Sequence, residues 1–102
     1  MIKILNEGKI IEYTKGDHFE LHATADEAGD NTILRFIISL DETSQPVVDE
    51  QFQYNDGGFS ITLTDAEKNS FDIGNYIFKM LLVDSGKVVT TLSGDFLVKW
   101  GC

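Results

Sequence analysis

Apolar and polar residues alternate with a period of two along most of this chain, which is the pattern of half-buried β-strands. The alternation predicts about seven strands, at 9–14, 18–26, 32–40, 47–54, 59–64, 76–83 and 88–100. Turn-forming clusters of Gly, Asp and Asn separate them, as in a two-sheet antiparallel β-sandwich. The same alternation would permit a small antiparallel β-barrel. The length of 102 residues predicts one domain over 1–102.

A motif at 72–78 indicates which type of β-sandwich the chain forms. Asp72-Ile73-Gly74-Asn75-Tyr76 leads into the longest apolar strand, and Phe78 follows the tyrosine by two positions. This arrangement is typical of the tyrosine corner of immunoglobulin-like sandwiches, in which the hydroxyl hydrogen-bonds to nearby backbone. Phe78 occupies the core position that antibody domains fill with a cysteine. Because the single cysteine is Cys102, we expect no intrachain disulfide.

Three local signals predict how strands are connected or interrupted. Thr64-Asp65-Ala66-Glu67 has the sequence of a capping box and predicts one helical turn, ending at about Ser70. Asp84-Ser85-Gly86-Lys87 predicts a tight hairpin with positive φ at the glycine. Gly94 predicts a bulge or a close backbone approach in the last strand. The residues of that strand in the core-facing phase are Val88, Leu92, Phe96, Val98 and Trp100.

The strands at 32–40 and 76–83 carry apolar residues on both faces. If these strands pair, their non-core faces form one apolar patch, and exposed patches of this kind usually mark a partner surface. The candidate docking residues are Ile33, Ile37, Ile77, Leu81 and Val83. The open alternative is that the N-terminal segment from Met1 to Leu5, or a bent strand, covers them.

The charge balance restricts the partners. Asp and Glu number 17 against 8 Lys and Arg, a formal charge of −9. Such a surface repels nucleic-acid phosphates and anionic membranes, so neither is expected as a partner, whereas a basic protein surface would be attracted. The N-terminus lacks a signal-peptide pattern and no apolar run is long enough for a transmembrane helix, which predicts a soluble protein made in the cytoplasm.

The residues that could carry chemistry form no recognisable catalytic or metal site. His18 and His22, on one strand, would lie about 13 Å apart, too far for one ion. The acidic residues of two regions lack the spacing of a calcium loop, and no catalytic triad or phosphate-binding loop is present. Those acidic residues are Asp26, Glu27, Asp30, Asp41, Glu42, Asp49 and Glu50. We therefore expect no enzyme, metal or cofactor, and no role for Cys102.

Two alternative functions remain open. A carbohydrate-binding module needs two coplanar exposed aromatic residues, and the candidates are Tyr13, Tyr54 and Trp100, although Trp100 is expected to be buried. A hydrolase using loop carboxylates needs an Asp or Glu with a raised pKa in a cleft.

The second half of the chain resembles a known family. The segments Phe59 to Glu67, Gly74 to Phe78 and Asp84 to Val98, together with Gly16-Asp17, are similar to the immunoglobulin-like N-terminal domain of phage baseplate upper proteins. The resemblance implies a non-enzymatic structural domain of a phage or prophage tail. It implies contacts with other tail or baseplate subunits, or with further copies of the chain. The protein would lie in the virion once assembled and in the host cytoplasm during assembly.

Overall fold

The computed structural model describes residues 2–4 and 9–100, which form strands and one short helix. The elements in chain order are β1 (Ile2–Ile4), β2 (Ile10–Thr14), β3 (Glu20–Ala25), β4 (Thr32–Ser39), β5 (Pro46–Gln53), β6 (Phe59–Thr62), α1 (Asp65–Asn69), β7 (Gly74–Asp84) and β8 (Lys87–Lys99). Each of the seven predicted strands is present, with ends that differ by a few residues. β1 was not predicted, because three residues are too few for alternation to be distinguished from chance.

The strands form two sheets, which confirms the predicted β-sandwich. The small sheet has the order β1-β3-β6 and the large sheet the order β2-β8-β7-β4-β5. In immunoglobulin-type sandwiches strands C, F and G are neighbours in one sheet, as β4, β7 and β8 are here, while β3 and β6 take the B and E positions in the other. The barrel alternative is wrong, because the described strands divide into two separate sheets.

One pairing departs from the antiparallel expectation. β2 runs parallel to β8, with Ile10 opposite Asp95 and Thr14 opposite Lys99. β1 instead pairs antiparallel with β3 in the small sheet. The N-terminal part of the chain thus contributes one edge strand to each sheet, which a sequence pattern of period two cannot indicate.

The core lies between the two sheets and is rich in phenylalanine. Phe36, Phe78 and Phe96 of the large sheet and Phe71 of the α1–β7 loop are each at most 1% exposed. The rings of Phe71 and Phe96 lie 5.2 Å apart, within the range of favourable aromatic pairs. Burial of a phenylalanine contributes about 1.5–3 kcal/mol, so this cluster is a principal source of stability without a disulfide.

The tyrosine corner and the capping box are both present. The backbone N–H of Asp72 donates to the Tyr76 hydroxyl at 3.0 Å, and Tyr76 is buried. The N–H of Glu67 donates to Thr64 Oγ1 at 3.1 Å, while Glu67 Oε1 accepts from the Thr64 N–H at 2.8 Å. These bonds hold the crossover from β6 to β7, where the chain passes from the small sheet to the large one.

Gly94 is a close-approach position, as the sequence suggests. A Cβ built on this glycine would lie 1.9 Å from the carbonyl oxygen of Lys9, so no side chain fits. The neighbouring Asp95 N–H donates to the same carbonyl at 2.9 Å. The glycine therefore allows the chain leading into β2 to lie against β8.

Two residues of the last predicted strand, Val88 and Trp100, were wrongly assigned to the core. Leu82 pairs with Thr90 but Val83 pairs with Val88, so Val89 is an extra residue that reverses the alternation. Val88 consequently lies beside Val83 on the outer side of the sheet and is 56% exposed. Trp100 is 77% exposed because β8 ends at Lys99, before the alternation reaches it.

Candidate functional site

The candidate docking residues lie together on one side of the large sheet, which we call the outer face. β4 and β7 are hydrogen-bonded neighbours, so the pairing on which the apolar patch depends is present. Ile33 lies directly opposite Val83, whereas Leu81 lies opposite Arg35. Ile37 lies opposite Lys79 and Ile77 opposite Ser39. The patch is thus a set of apolar side chains interrupted by two cations.

The outer face is turned away from the core. Ile33, Ile37, Ile77, Leu81 and Val83 are all half-buried, and the residues that alternate with them are fully buried against the small sheet. Of the described helix and strands, none packs over this face. Ile2 to Ile4 belong to the small sheet and do not cover it, while Met1 and Leu5, the ends of the segment proposed as a cover, lie outside the described residues.

A salt bridge fixes one of the two cations within the face. Arg35 donates to both carboxylate oxygens of Asp49 on the adjacent β5, at 2.7 and 2.6 Å. The hydrogen bond from Arg35 holds the pKa of Asp49 below its usual value. A bidentate pair of this kind fixes the orientation of the guanidinium group relative to the carboxylate.

Two shallow depressions mark the ends of the outer face. The smaller, of about 260 Å³, is lined by Ile33, Arg35, Gln51, Leu81, Val83, Gly86 and Val88. Val88 extends the apolar surface at this end. The sequence pattern placed Val88 in the core, and only the bulge at Val89 brings it to the outer face.

The larger depression, of about 460 Å³, lies at the opposite end, beside the β4–β5 loop. Its lining residues are Ile37, Ser39, Glu42, Ser44, Pro46, Ile77, Phe78, Lys79, Ser93, Gly94 and Asp95. We call it the loop pocket. Among the described residues, the side chains of Glu42, Lys79 and Asp95 form no hydrogen bond or ion pair.

The two histidines and the acidic residues of the β3–β4 turn do not form a metal or catalytic site. His18 and His22 are exposed and both approach the carboxylate of Glu20, with Nε2–oxygen distances of 3.6 and 3.0 Å. Asp26, Glu27 and Asp30 are exposed in the β3–β4 turn. In the described part of the chain, no cluster of three or more His, Cys, Asp or Glu is arranged to hold a metal ion. Cys102 lies outside that part.

The acidic residues between Asp41 and Glu50 have separate structural roles. Asp41 Oδ1 accepts from the N–H groups of Thr43 and Ser44 and so shapes the β4–β5 loop. Hydrogen bonds from the side chains of Ser44 and Thr43, and then from these N–H groups, lower the pKa of Asp41. Glu50 lies next to Glu67, whose carboxyl raises the pKa of Glu50 by hydrogen bonding and by its charge. Glu50 lines neither depression of the outer face.

The three aromatic candidates for sugar stacking are not equivalent. Tyr13 is buried, and its ring packs against Phe19 at 5.7 Å. Tyr54 is half-buried against Phe59, also at 5.7 Å. Since only Trp100 of the three is exposed, they supply no pair of exposed rings for a sugar-binding platform.

No family model matches this chain, and comparisons with curated proteins and with solved structures give no match either. Among the described residues, no helix is long and apolar enough to cross a lipid bilayer.

Proposed function

We propose that this protein is a non-enzymatic docking domain that binds another protein through the outer face of its large sheet. The observation that supports this best is the row of apolar side chains on neighbouring strands β4 and β7, over which no described helix or strand packs. A single exposed apolar residue is ordinary, but a group of five on neighbouring strands of one sheet is typical of an interaction surface.

The physical basis of binding would be the removal of water from the apolar side chains. Burial of apolar surface stabilises a complex by about 25 cal/mol per Å², reduced by the entropy lost on association. Arg35 and Lys79, set among these side chains, and the acidic residues around them would restrict which surfaces can bind. The formal charge of −9 favours a partner with a basic surface.

The biological setting we propose comes from the resemblance in the sequence. The segments similar to the baseplate upper protein family point to a phage or prophage tail or baseplate, in which the domain would connect neighbouring subunits. Under this proposal the protein is part of the assembled virion and is present in the host cytoplasm before assembly.

The test is co-purification with candidate partners. The chain is co-expressed with the proteins encoded by neighbouring genes, and the wild type is compared with Leu81→Asp. Leu81 is half-buried in the centre of the outer face, so an added carboxylate there should reduce the recovered partner roughly tenfold or more. Circular dichroism and urea unfolding of the variant check that the fold is retained.

A matched control places the same charge on the opposite side of the molecule. Thr24 is exposed in the small sheet, and Thr24→Asp should leave co-purification unchanged. If Leu81→Asp unfolds, Val83→Thr removes apolar surface with almost no change of shape and should weaken binding in the same direction. Equal recovery with Val83→Thr, Thr24→Asp and wild type would show that the outer face is not the binding surface.

A further inference from the structure

The loop pocket lies at the end of the outer face where β4, β7 and β8 meet the β4–β5 loop. Ile37 and Ile77 provide apolar side chains from the sheet, and Pro46 adds a third at the start of β5. Phe78 is buried on the core side and Gly94 has no side chain, so these two residues line the pocket chiefly with backbone. The result is a depression lined by both apolar and polar groups, and it shares Ile37 and Ile77 with the proposed docking surface.

Two carboxylates face this depression from different elements. Glu42 belongs to the loop and Asp95 to β8, and neither side chain pairs with any described residue. Lys79 contributes the one cationic group of the lining, opposite Ile37 on the sheet. Two carboxylates and one ammonium group give the pocket a net charge of −1. A cation is therefore favoured over an anion in the pocket.

The wall of the pocket is held in place by the loop itself. Asp41 Oδ1 accepts from the Thr43 hydroxyl at 2.9 Å and from the Ser44 N–H at 2.7 Å. Ser39 Oγ donates to the Asp41 carbonyl at 2.9 Å. Because the loop is held by its own hydrogen bonds, less loop entropy is lost when a ligand binds beside it.

From this geometry we infer that the loop pocket binds an arginine side chain of a basic partner protein. The aliphatic part of an arginine would lie on Ile37, Ile77 and Pro46. Its guanidinium group would reach Glu42 and Asp95. Arginine suits such a site because it combines an apolar stem with a planar cation that donates several hydrogen bonds in fixed directions. This inference rests on the proposed function, since it names the chemistry by which the docking surface selects its partner.

A second copy of the chain is a poorer occupant. Each copy carries a formal charge of −9, so association of two copies brings together two acidic surfaces. Arg35, the arginine of the outer face, is already held by both oxygens of Asp49. A partner with a basic surface has neither disadvantage.

The inference is tested without the natural partner, by NMR titration of the ¹⁵N-labelled protein at low salt. The probe is the peptide acetyl-Gly-Arg-Gly-amide, and the control peptide carries citrulline, which has nearly the same shape but no charge. We expect saturable shifts at the amides of Glu42, Ser44, Ile77 and Asp95, with a millimolar dissociation constant. The citrulline peptide should bind roughly tenfold more weakly or worse, as expected when a charge-assisted hydrogen bond is lost.

Variants then assign the binding to the pocket. The double variant Glu42→Gln, Asp95→Asn should weaken the arginine peptide roughly tenfold, since both carboxylates are lost while their shapes remain. Asp26→Asn, Asp30→Asn changes the overall charge by the same amount at a distant turn and should leave binding unchanged.

Several results would overturn the inference. These are an absence of saturable shifts, equal binding of the citrulline peptide, or shifts centred on other carboxylates. Concentration-dependent self-association that the double variant abolishes would identify a second copy as the occupant instead. If the peptide fails to bind but Leu81→Asp still blocks co-purification, only the pocket assignment is wrong. If the peptide binds and Leu81→Asp has no effect, the docking face is wrong.

Discussion

The hydroxyl of Tyr76 makes one hydrogen bond whose contribution can be measured alone. Its only described partner is the N–H of Asp72, at 3.0 Å, in the loop that leads into β7. Tyr76→Phe keeps the ring against Phe71 and removes this bond. We expect the free energy of unfolding to fall by about 1 kcal/mol, the usual net value of one hydrogen bond. Urea unfolding monitored by tryptophan fluorescence or circular dichroism gives the measurement.

Tyr54→Phe is the matched control for this prediction. Tyr54 is half-buried, and its hydroxyl makes no hydrogen bond with a described residue, so its removal should change stability by only a few tenths of a kcal/mol. Equal losses in the two variants would mean that the corner hydrogen bond has no stabilising effect of its own.

Gly94 tests the close approach of the chain to β8. Gly94→Ala would place a methyl group 1.9 Å from the Lys9 carbonyl oxygen and 3.0 Å from the Phe78 ring, so the backbone must move. We expect a loss of about 2 kcal/mol or more, within the range of overpacked sites. Faster hydrogen exchange at Asp95, whose N–H bonds to Lys9, should accompany it.

Gly29→Ala is the control for the glycine prediction. Nothing lies within 4 Å of the Cβ that would be added at Gly29, and its φ is not positive. This substitution should be neutral or slightly stabilising, because alanine restricts the unfolded chain. A Gly94→Ala protein as stable as Gly29→Ala would contradict the close packing of β2 and β8 described above.

At the scale of elements, an unfavourable pair of like charges lies where β5 and α1 come close to each other. Glu67 Oε1 accepts the Thr64 N–H in the capping box of α1, and the Glu67 carboxyl also lies beside Glu50 of β5. The pKa of Glu50 is raised by this hydrogen-bonding neighbour and its charge. Folding therefore favours the protonated form of Glu50. The stability gained from that form is present below the ordinary pKa of glutamate and is lost as the pH rises through the raised value.

Glu50→Gln should remove this pH-dependent repulsion. At pH 7 we expect the variant to be more stable than the wild type by about 0.5 kcal/mol, the scale of an exposed charge pair. The difference should shrink as the pH falls through the raised pKa of Glu50 towards the ordinary glutamate value of 4.5, below which the wild type is itself protonated. Urea unfolding at several pH values measures it. Glu42→Gln, at a carboxylate without a described partner, should show a smaller change. A variant less stable than the wild type at pH 7 would show that the pair is favourable.

Most elements could be predicted from sequence because each is determined by local chemistry. Alternating side chains indicated β4 and β7, and the Thr64–Glu67 spacing indicated the cap of α1. The sequence did not indicate which strands pair with each other, or where the alternation of side chains is interrupted. The parallel pairing of β2 with β8 joins residues some 85 positions apart, Ile10 with Asp95. The extra residue Val89 is visible only once β7 is known to be its partner.

At the scale of the whole molecule, the candidate site depends on contacts that a linear pattern contains only in part. The five apolar residues were predictable as two separate groups, and their union required the pairing of β4 with β7. The cations between them follow from the same alternation. The loop pocket was not predictable, because it joins Glu42 of a loop to Asp95 of β8, two residues that no motif connects.

The surplus of negative charge gives a property of the whole molecule that salt should change. With a formal charge of −9, the folded protein concentrates like charges that the unfolded chain separates, so screening should favour the folded state. Between about 10 and 200 mM NaCl we expect the free energy of unfolding to rise by about 1 kcal/mol. Asp26→Asn, Asp30→Asn neutralises two exposed carboxylates, which takes the formal charge from −9 to −7, and should reduce this salt effect. Stability that falls with salt would mean that attractive pairs such as Arg35–Asp49 outweigh the overall repulsion.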